Sequence, residues 1–191
     1  MKKNWFGFLA LLMILISCKS TRLETRDLIY VMIYDLDNNP VAGADLFVNG
    51  NFAGKSDIHG RFFLTAAERI NSSEKIDSSI LIKVSKSGYE EIIQQTEIED
   101  GEVFYFKTAS WEQLLERAEI LLDEDKTSEA LDYIERSEKI AGNKEEIFYL
   151  KAVVYGKTGN GYEKLKALEK IKSEKNKPYK KAFLERFSEN E

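Results

Sequence analysis

Few side chains in this chain of 191 residues could act as nucleophile, base or metal ligand, because it contains one cysteine and one histidine. Cys18 follows an apolar run near the start, and His59 lies in a predicted turn. A Ser-His or Cys-His pair would have to use His59, and a zinc site built on histidine needs further strong ligands. Carboxylates are therefore the remaining candidates for acid–base chemistry.

The carboxylates do not form a pattern typical of a catalytic or metal site. Glu90 and Glu91, like Glu145 and Glu146, are adjacent, and adjacent side chains on a strand or helix point in different directions. We expect them to be surface charges. The run Asp35, Asp37, Asn39 imitates the start of a calcium loop, but Pro40 occupies the position where the sharp turn needs glycine, so we predict an ordinary turn.

The segment that ends at Cys18 has the features of an export signal. Lys2 and Lys3 precede an apolar run over residues 5–16, which is too short for the roughly 20 residues that cross a bilayer as a helix. We therefore predict an export signal rather than a membrane span. A plain signal peptide with an accidental cysteine is the alternative interpretation.

Leu15, Ile16, Ser17 and Cys18 resemble the lipobox of bacterial lipoproteins, in which an aliphatic, a variable and a small residue precede an invariant cysteine. The resemblance implies a signal peptide over residues 1–17, cleavage before Cys18, a diacylglyceryl group on its thiol and an amide-linked fatty acid such as palmitate. Two or more acyl chains hold a protein stably on a membrane. A lipidated Cys18 could not serve as a nucleophile, so we expect no catalytic residue, no cofactor, no metal and no enzyme activity.

Composition and charge narrow the class of protein further. With 43% hydrophobic and 12% aromatic residues the chain can build a core. Its formal charge of −5 would become about −7 after loss of Lys2 and Lys3, and no basic face typical of nucleic-acid binding is visible. Residues 18–26 are polar and lack a period, which predicts a short lipidated tether.

Residues 27–110 predict strands separated by turns. Short runs rich in Ile, Val, Tyr and Phe alternate with Gly, Asn, Asp and Ser, which favours an antiparallel β-sandwich of the seven-stranded type. Alternation places Leu81 and Lys83 on one face of a strand and Ile82 and Val84 on the other, one wet and one buried. The same alternation would bury about half of the aromatic residues at 62–63 and 104–106, so we expect core here rather than an exposed carbohydrate platform.

Between residues 35 and 89 an aspartate is followed by Pro-Val-x-Gly-Ala, then by Ser-Asp-x-x-Gly-x-Phe, and later by Gly-Tyr. This order resembles the carboxypeptidase regulatory-like domain, a small transthyretin-like sandwich. The resemblance implies an accessory module that supports or binds, not a peptidase. Local chemistry also predicts a close or left-handed backbone at Gly43, and a turn in which Asp57 accepts amide hydrogen bonds and Gly60 closes the loop. The matching residues are Asp35, Pro40, Val41, Gly43, Ala44, Ser56, Asp57, Gly60, Phe62, Gly88 and Tyr89.

From Trp111 onwards the apolar period changes from two to about 3.6, which predicts helical hairpins over residues 111–191 and a last short helix after Pro178. A shift of 34 residues pairs Leu114 with Phe148 and Ala118 with Ala152, so the region resembles two degenerate tetratricopeptide repeats. Ala130 falls opposite Lys164, and no proline closes the first repeat. A generic helical-hairpin bundle remains the alternative.

Charge differs between the two predicted hairpins. Residues 111–140 carry four basic and ten acidic side chains, whereas residues 143–188 carry twelve basic and six acidic ones. Solvated faces on opposite sides are the simpler interpretation. The alternatives are attraction between the hairpins, or docking of an acidic partner or anionic headgroups on the basic hairpin.

These observations predict a lipid-anchored bacterial cell-envelope protein that binds or scaffolds a protein partner without catalysis. Groove candidates lie on the first helix of each hairpin, such as Glu119 and Lys151. A surface adhesin or glycan-binding lipoprotein that uses the loops around residues 49–59 is the alternative. Lys19 lacks the aspartate that retains some lipoproteins in an inner membrane, which by analogy favours the outer membrane, on its periplasmic face or at the surface.

Overall fold

The computed structural model describes residues 29–64, 79–97, 102–172 and 181. Cys18, the tether and the helix predicted after Pro178 lie outside the described residues. Within them all strands precede all helices, so the fold is mixed β+α. The strands are β1 (Ile29–Tyr34), β2 (Asp45–Val48), β3 (Asn51–Lys55), β4 (Arg61–Leu64), β5 (Ser79–Ser85), β6 (Ile92–Glu97) and β7 (Val103–Lys107), and the helices are α1 (Trp111–Asp123), α2 (Thr127–Ala141), α3 (Glu145–Lys157) and α4 (Gly161–Glu169).

The strands form two sheets, with the orders β4-β1-β7 and β3-β2-β5-β6. Neighbouring strands are antiparallel except β1 and β7, which are parallel, with Tyr30 opposite Val103 and Tyr34 opposite Lys107. The prediction of purely antiparallel strands was wrong for this pair. A parallel pair is made by a long crossover, which the alternation within a single strand does not encode.

Both sheets contribute to one apolar core. Alternate residues of β1 are buried, as are Ile80, Ile82 and Val84 of β5, while Leu81 is exposed and Lys83 half-buried. The predicted alternation is thus confirmed in β5. The buried members of this core are Ile29, Val31, Ile33, Val41, Ala44, Leu46, Val48, Leu64, Ile80, Ile82, Val84, Phe104 and Phe106.

The turn before β4 has the predicted chemistry. Asp57 Oδ1 accepts hydrogen bonds of 2.8 Å from the backbone N–H groups of His59 and Arg61. Gly60 has a φ of +71°, and a Cβ there would lie 2.3 Å from the carbonyl oxygen of Ile33. Only glycine avoids this clash in a left-handed conformation. Gly43 is left-handed as predicted, with a φ of +68°.

The helices form two consecutive hairpins whose starting points repeat. The starts of α1 and α3, at residues 111 and 145, are 34 apart, as are those of α2 and α4, at 127 and 161. Lys144, before α3, lies 5.4 Å over the ring of Trp111, while Lys157 at the end of α3 donates to the carbonyl of Leu122 at the end of α1. Contact at both ends means that α1 and α3 run parallel.

In the described part of the chain no helix has the length and apolar character required to cross a bilayer.

Candidate functional site

The strands and helices are joined through a three-residue connection, Thr108 to Ser110. Thr108 and Ala109 are buried. Thr108 Oγ1 donates a 2.8 Å hydrogen bond to the carbonyl of Glu90, and the Glu90 N–H donates a 2.9 Å bond to the carbonyl of Ala109. Ser110 caps α1, because its hydroxyl accepts from the Gln113 N–H while the Gln113 side chain accepts from Ser110 N–H. This short, bonded connection fixes the direction in which α1 leaves the sheet.

A two-bond ion pair lies beside this connection. The Nε and Nη2 atoms of Arg136 on α2 each donate a 2.8 Å hydrogen bond to the carboxylate of Glu90. The bonds to Glu90 outweigh the effect of burial and raise the pKa of Arg136 above its usual range. Glu90 was expected to be a surface charge. That expectation was wrong, because its side chain is only 27% exposed and is bonded to α2.

A second contact joins the turn after β1 to α1. Asp37 accepts a 2.5 Å hydrogen bond from Gln113 Nε2 and a 3.1 Å bond from Arg117 Nη2. The predicted turn positions Asp37, since Asp35 Oδ1 accepts from the backbone N–H groups of Asp37 and Asn39 at 2.9 and 2.8 Å.

In the described ranges no three His, Cys, Asp or Glu side chains are grouped to hold a metal ion.

A cleft of about 480 Å³ opens where the β5–β6 turn meets α2. We term this the junction cleft; its walls are residues 85–91 together with Arg136, Lys139 and Ile140. The amino group of Lys86 lies 4.6 Å from the ring centroid of Tyr89. Burial, followed by the charges of Asp35 and Glu112, raises the pKa of the Tyr89 hydroxyl. Lys86 and Lys139 line the cleft together with Glu90 and Glu91, whose carboxylates are paired with Arg136 and Lys83.

The two hairpins share an apolar core, and ion pairs between their opposite charges also bridge them. Glu138 on α2 bonds Lys151 on α3 and lies 3.9 Å from Lys170 at the end of α4. Lys157 Nζ donates a 2.6 Å bond to Asp125. Attraction between the hairpins is therefore confirmed for these residues, and the simpler interpretation of separate solvated faces was wrong for them.

The structure separates the predicted groove residues. Glu119 is exposed on α1, whereas Lys151 is half-buried and bonded to Glu138, so its amine is engaged within the protein. His59 is exposed at the turn between β3 and β4. Phe104 and Phe106 are buried and Tyr105 is exposed, which confirms the predicted alternation in β7.

Sequence reasoning did not identify Arg136, Gln113 or Arg117 as junction residues. Each is one of many polar residues on an amphipathic helix, and its partner lies 46, 76 or 80 residues earlier in the chain. The sequence gives only an indirect indication of these contacts. Asp37 lies between Asp35 and Pro40, and Glu90 follows Tyr89, so both are next to or within turns of the pattern that resembles the carboxypeptidase regulatory-like domain.

Comparison with known proteins identifies no family for this chain. No family model matches it, and no curated protein matches it. The Bacillus anthracis TIE protein is similar over 44% of this chain and 16% of its own, with 15% identity and a TM-score of 0.33. A 3-chlorocatechol 1,2-dioxygenase from Rhodococcus opacus is similar over 44% of this chain and 58% of its own, with 14% identity and a TM-score of 0.31. The chain thus covers less than two thirds of either protein, and likeness at this level carries no functional argument.

Proposed function

We propose that this chain is a lipid-anchored cell-envelope protein that binds a protein partner and acts as a non-catalytic scaffold. The observation that carries the proposal is the bonded junction between the strands and the helices. A three-residue connection, the Glu90–Arg136 pair and the Asp37 contacts make the two regions one unit. A unit of this kind keeps a partner that is bound to the helices at a fixed position relative to the strands.

Features of the helices and of the strands support a tetratricopeptide-like and a carboxypeptidase regulatory-like assignment, respectively. The 34-residue offset of the helix starts, the parallel α1 and α3 and the fully buried Ala118 and Ala152 favour two tetratricopeptide-like hairpins. The shared core of the two sheets and the Asp57–Gly60 turn favour a carboxypeptidase regulatory-like sandwich. On this basis the sandwich would be the spacer or second contact and the hairpins the main binding surface.

The junction cleft supports an acidic segment of a protein as the ligand. Lys86 and Lys139 supply two positive charges, and Ser85 and Ser87 also line the cleft. The carboxylates of Glu90 and Glu91, which line it too, are paired with Arg136 and Lys83. Charge complementarity of this kind speeds association and selects partners. The lysines of the second hairpin are less suited to this role, since Lys151, Lys157 and Lys170 face carboxylates of the first hairpin.

The lipid anchor is supported by residues 1–18, whose two lysines, apolar run and Leu-Ile-Ser-Cys end fit a lipoprotein signal. Lipidation at Cys18 would place the chain in a bacterial envelope, with the outer membrane favoured. Mass spectrometry of the protein from its native cells tests this directly. An unmodified Cys18, or a retained leader, would refute the anchor.

Crosslinking in intact cells tests the binding role. The double variant Lys86→Glu/Lys139→Glu should lose its crosslinked partner, because two charges in the cleft are reversed. The double variant Lys166→Glu/Lys172→Glu, which reverses two exposed lysines on and after α4, serves as the charge-matched control and should keep it. Equal capture by all three proteins would show that the cleft does not bind the partner.

A glycan-binding adhesin is the second candidate, and exposed apolar side chains around residues 49–59 favour it. Phe52 on β3 and Ile58 in the following turn are 58% and 78% exposed. Aromatic and apolar side chains of this kind provide stacking surfaces for sugar rings. Binding to a glycan panel that Phe52→Ser abolishes and Lys86→Glu leaves intact would support this candidate over the first.

A further inference from the structure

The side of the three-stranded sheet that faces away from the core is rich in aromatic and apolar side chains. The strand register places Tyr30 between Phe63 and Val103, and Met32 between Arg61 and Tyr105. The rings of Tyr30 and Phe63 meet edge to face at 5.2 Å. Tyr105 is 70% exposed and Phe63 44%. We term this surface the outer face; its residues are Tyr30, Met32, Tyr34, Arg61, Phe63, Val103, Tyr105 and Lys107.

The outer face contains two basic residues and no acidic one, although acidic residues outnumber basic ones by 33 to 28 in the chain. Arg61 is bonded to Asp57, which lies in the adjoining turn rather than on the face. The outward side of the four-stranded sheet differs, because it mixes Asp45, Lys83 and Glu97 with its apolar residues. Aromatic residues with a basic rim fit an anionic, partly apolar surface.

The proposed anchor at Cys18 is separated from the outer face by only a short segment of the chain. Residues 19–28 separate Cys18 from Ile29, the first residue of β1, and ten residues span at most about 35 Å. Tyr30, the central aromatic residue of the face, is the next residue along. A lipid on Cys18 would therefore hold this face close to the bilayer at a high effective concentration.

The described helices leave the outer face open to that neighbour. α1 is bonded to Asp37 and α2 to Glu90, in the turns that follow β1 and precede β6. Since β1 and β7 are parallel, the chain enters the sheet at Ile29 and leaves for the helices at the opposite end, after Lys107. Ile29, where the chain enters the sheet, and the helices thus lie at opposite ends of the same sheet.

We infer that the outer face docks on the lipid bilayer that holds the anchor. Tyr30, Phe63 and Tyr105 lie at the headgroup level, where aromatic rings are favoured, and Lys107 contacts anionic headgroups. This inference rests on the lipid anchor of the proposed function. It adds that the folded protein lies on the membrane with one defined face.

Tryptophan fluorescence of the lipidated full-length protein tests the inference. Tyr105→Trp puts a reporter on the outer face, and Phe52→Trp puts one on the outward side of the other sheet, where Phe52 is also exposed. Both variants are reconstituted into vesicles of phosphatidylethanolamine and phosphatidylglycerol with brominated acyl chains. Wild type supplies the background from Trp111. We expect brominated lipid to quench the Tyr105→Trp reporter at least about twofold more than the Phe52→Trp reporter, because only the outer face reaches the acyl boundary.

Mass spectrometry of the same samples separates the two proposals. Lipidated Tyr105→Trp protein that is quenched no more than Phe52→Trp overturns the docking and leaves the anchor standing. Protein without lipid on Cys18 overturns both. Shielding of the reporter that grows with protein concentration in detergent would indicate that a second copy covers the outer face. Shielding by an oligosaccharide would indicate that a glycan covers it. Either result, if brominated lipid does not quench the reporter, overturns membrane docking.

Discussion

Arg136 on α2 donates two hydrogen bonds of 2.8 Å to the carboxylate of Glu90, a residue 46 positions earlier that precedes β6. The planar guanidinium matches both carboxylate oxygens, which a lysine cannot do. Both side chains are about one third exposed or less, so solvent weakens the pair without removing it. The contact crosses from the helices to the strands and should therefore couple their unfolding.

Removal of this pair should destabilise the protein. We expect Arg136→Met to lower the free energy of unfolding by about 2 kcal/mol and Arg136→Lys, which keeps the charge, by about 1 kcal/mol. Urea titration of both variants, and a double-mutant cycle with Glu90→Gln, measure the effect. A coupling energy near zero would show that the pair contributes nothing to stability.

The turn at Asp35 should make stability depend on acidic pH. Burial raises the pKa of Asp35, but the hydrogen bonds from Asn39 and Asp37 together outweigh it, so the folded-state pKa is below the usual range. In acid the unfolded state therefore binds more protons than the folded state. The ionised Asp35 carboxylate contributes its full stabilisation of the fold above about pH 4, and this contribution is lost as the pH falls through the pKa of Asp35 in the folded state.

Urea titrations at pH 7, 5 and 3 check this dependence. Asp35→Asn should flatten the pH profile between pH 5 and 3, because it removes the titrating carboxylate. Asp123→Asn, at the exposed end of α1, is the control. If both variants flattened the profile equally, the Asp35 turn would not be the source.

Two glycines allow steric clash to be separated from backbone strain. Gly60 and Gly50 are both left-handed, but a Cβ at residue 60 would meet the Ile33 carbonyl at 2.3 Å, whereas one at residue 50 would meet nothing within 4 Å. We expect Gly60→Ala to cost about 3 kcal/mol or more and Gly50→Ala about 1 kcal/mol. Thermal and urea unfolding measure both, and equal losses would contradict the close approach at Gly60.

The contribution of an ion pair in the helical region to stability should increase with its burial. The Lys151 side chain is 16% exposed against Glu138, whereas Lys126 is 51% exposed against Glu124. We expect Lys151→Met to cost about 1–2 kcal/mol and Lys126→Met less than about 0.5 kcal/mol. Urea titration at low and high salt compares them. Equal losses for the two variants would rule out a special role for the buried pair.

The sequence permits prediction of features that depend on neighbouring residues. Alternation in β5 predicted that Ile82 and Leu81 lie on opposite faces, because side chains change face at every residue of a strand. For the aromatic run in β7 it predicted that about half of the rings would be buried, as they are. The Asp57–Gly60 turn followed from the chemistry of four consecutive residues. The helix start at residue 111 followed from a change of period.

Features that depend on distant pairing could not be predicted. The parallel partnership of β1 and β7 depends on how the intervening strands cross over, not on either strand alone. Glu90 and Glu91 are identical in type and adjacent, yet only Glu90 contacts Arg136, while Glu91 pairs with Lys83. That choice is made by the direction in which α1 leaves the sheet, which the short connection after β7 sets.

The parallel pairing of β1 and β7 also determines how the molecule responds to force. Tension between the segment before Ile29 and the helices after Lys107 pulls the two adjacent strands in opposite directions along their length. In this shear geometry the hydrogen bonds between β1 and β7, from the Tyr30–Val103 pair to the Tyr34–Lys107 pair, carry the load together. They break together rather than one after another. A chain held at one end of this sheet and pulled at the other therefore resists mechanical extension through the β1–β7 pair.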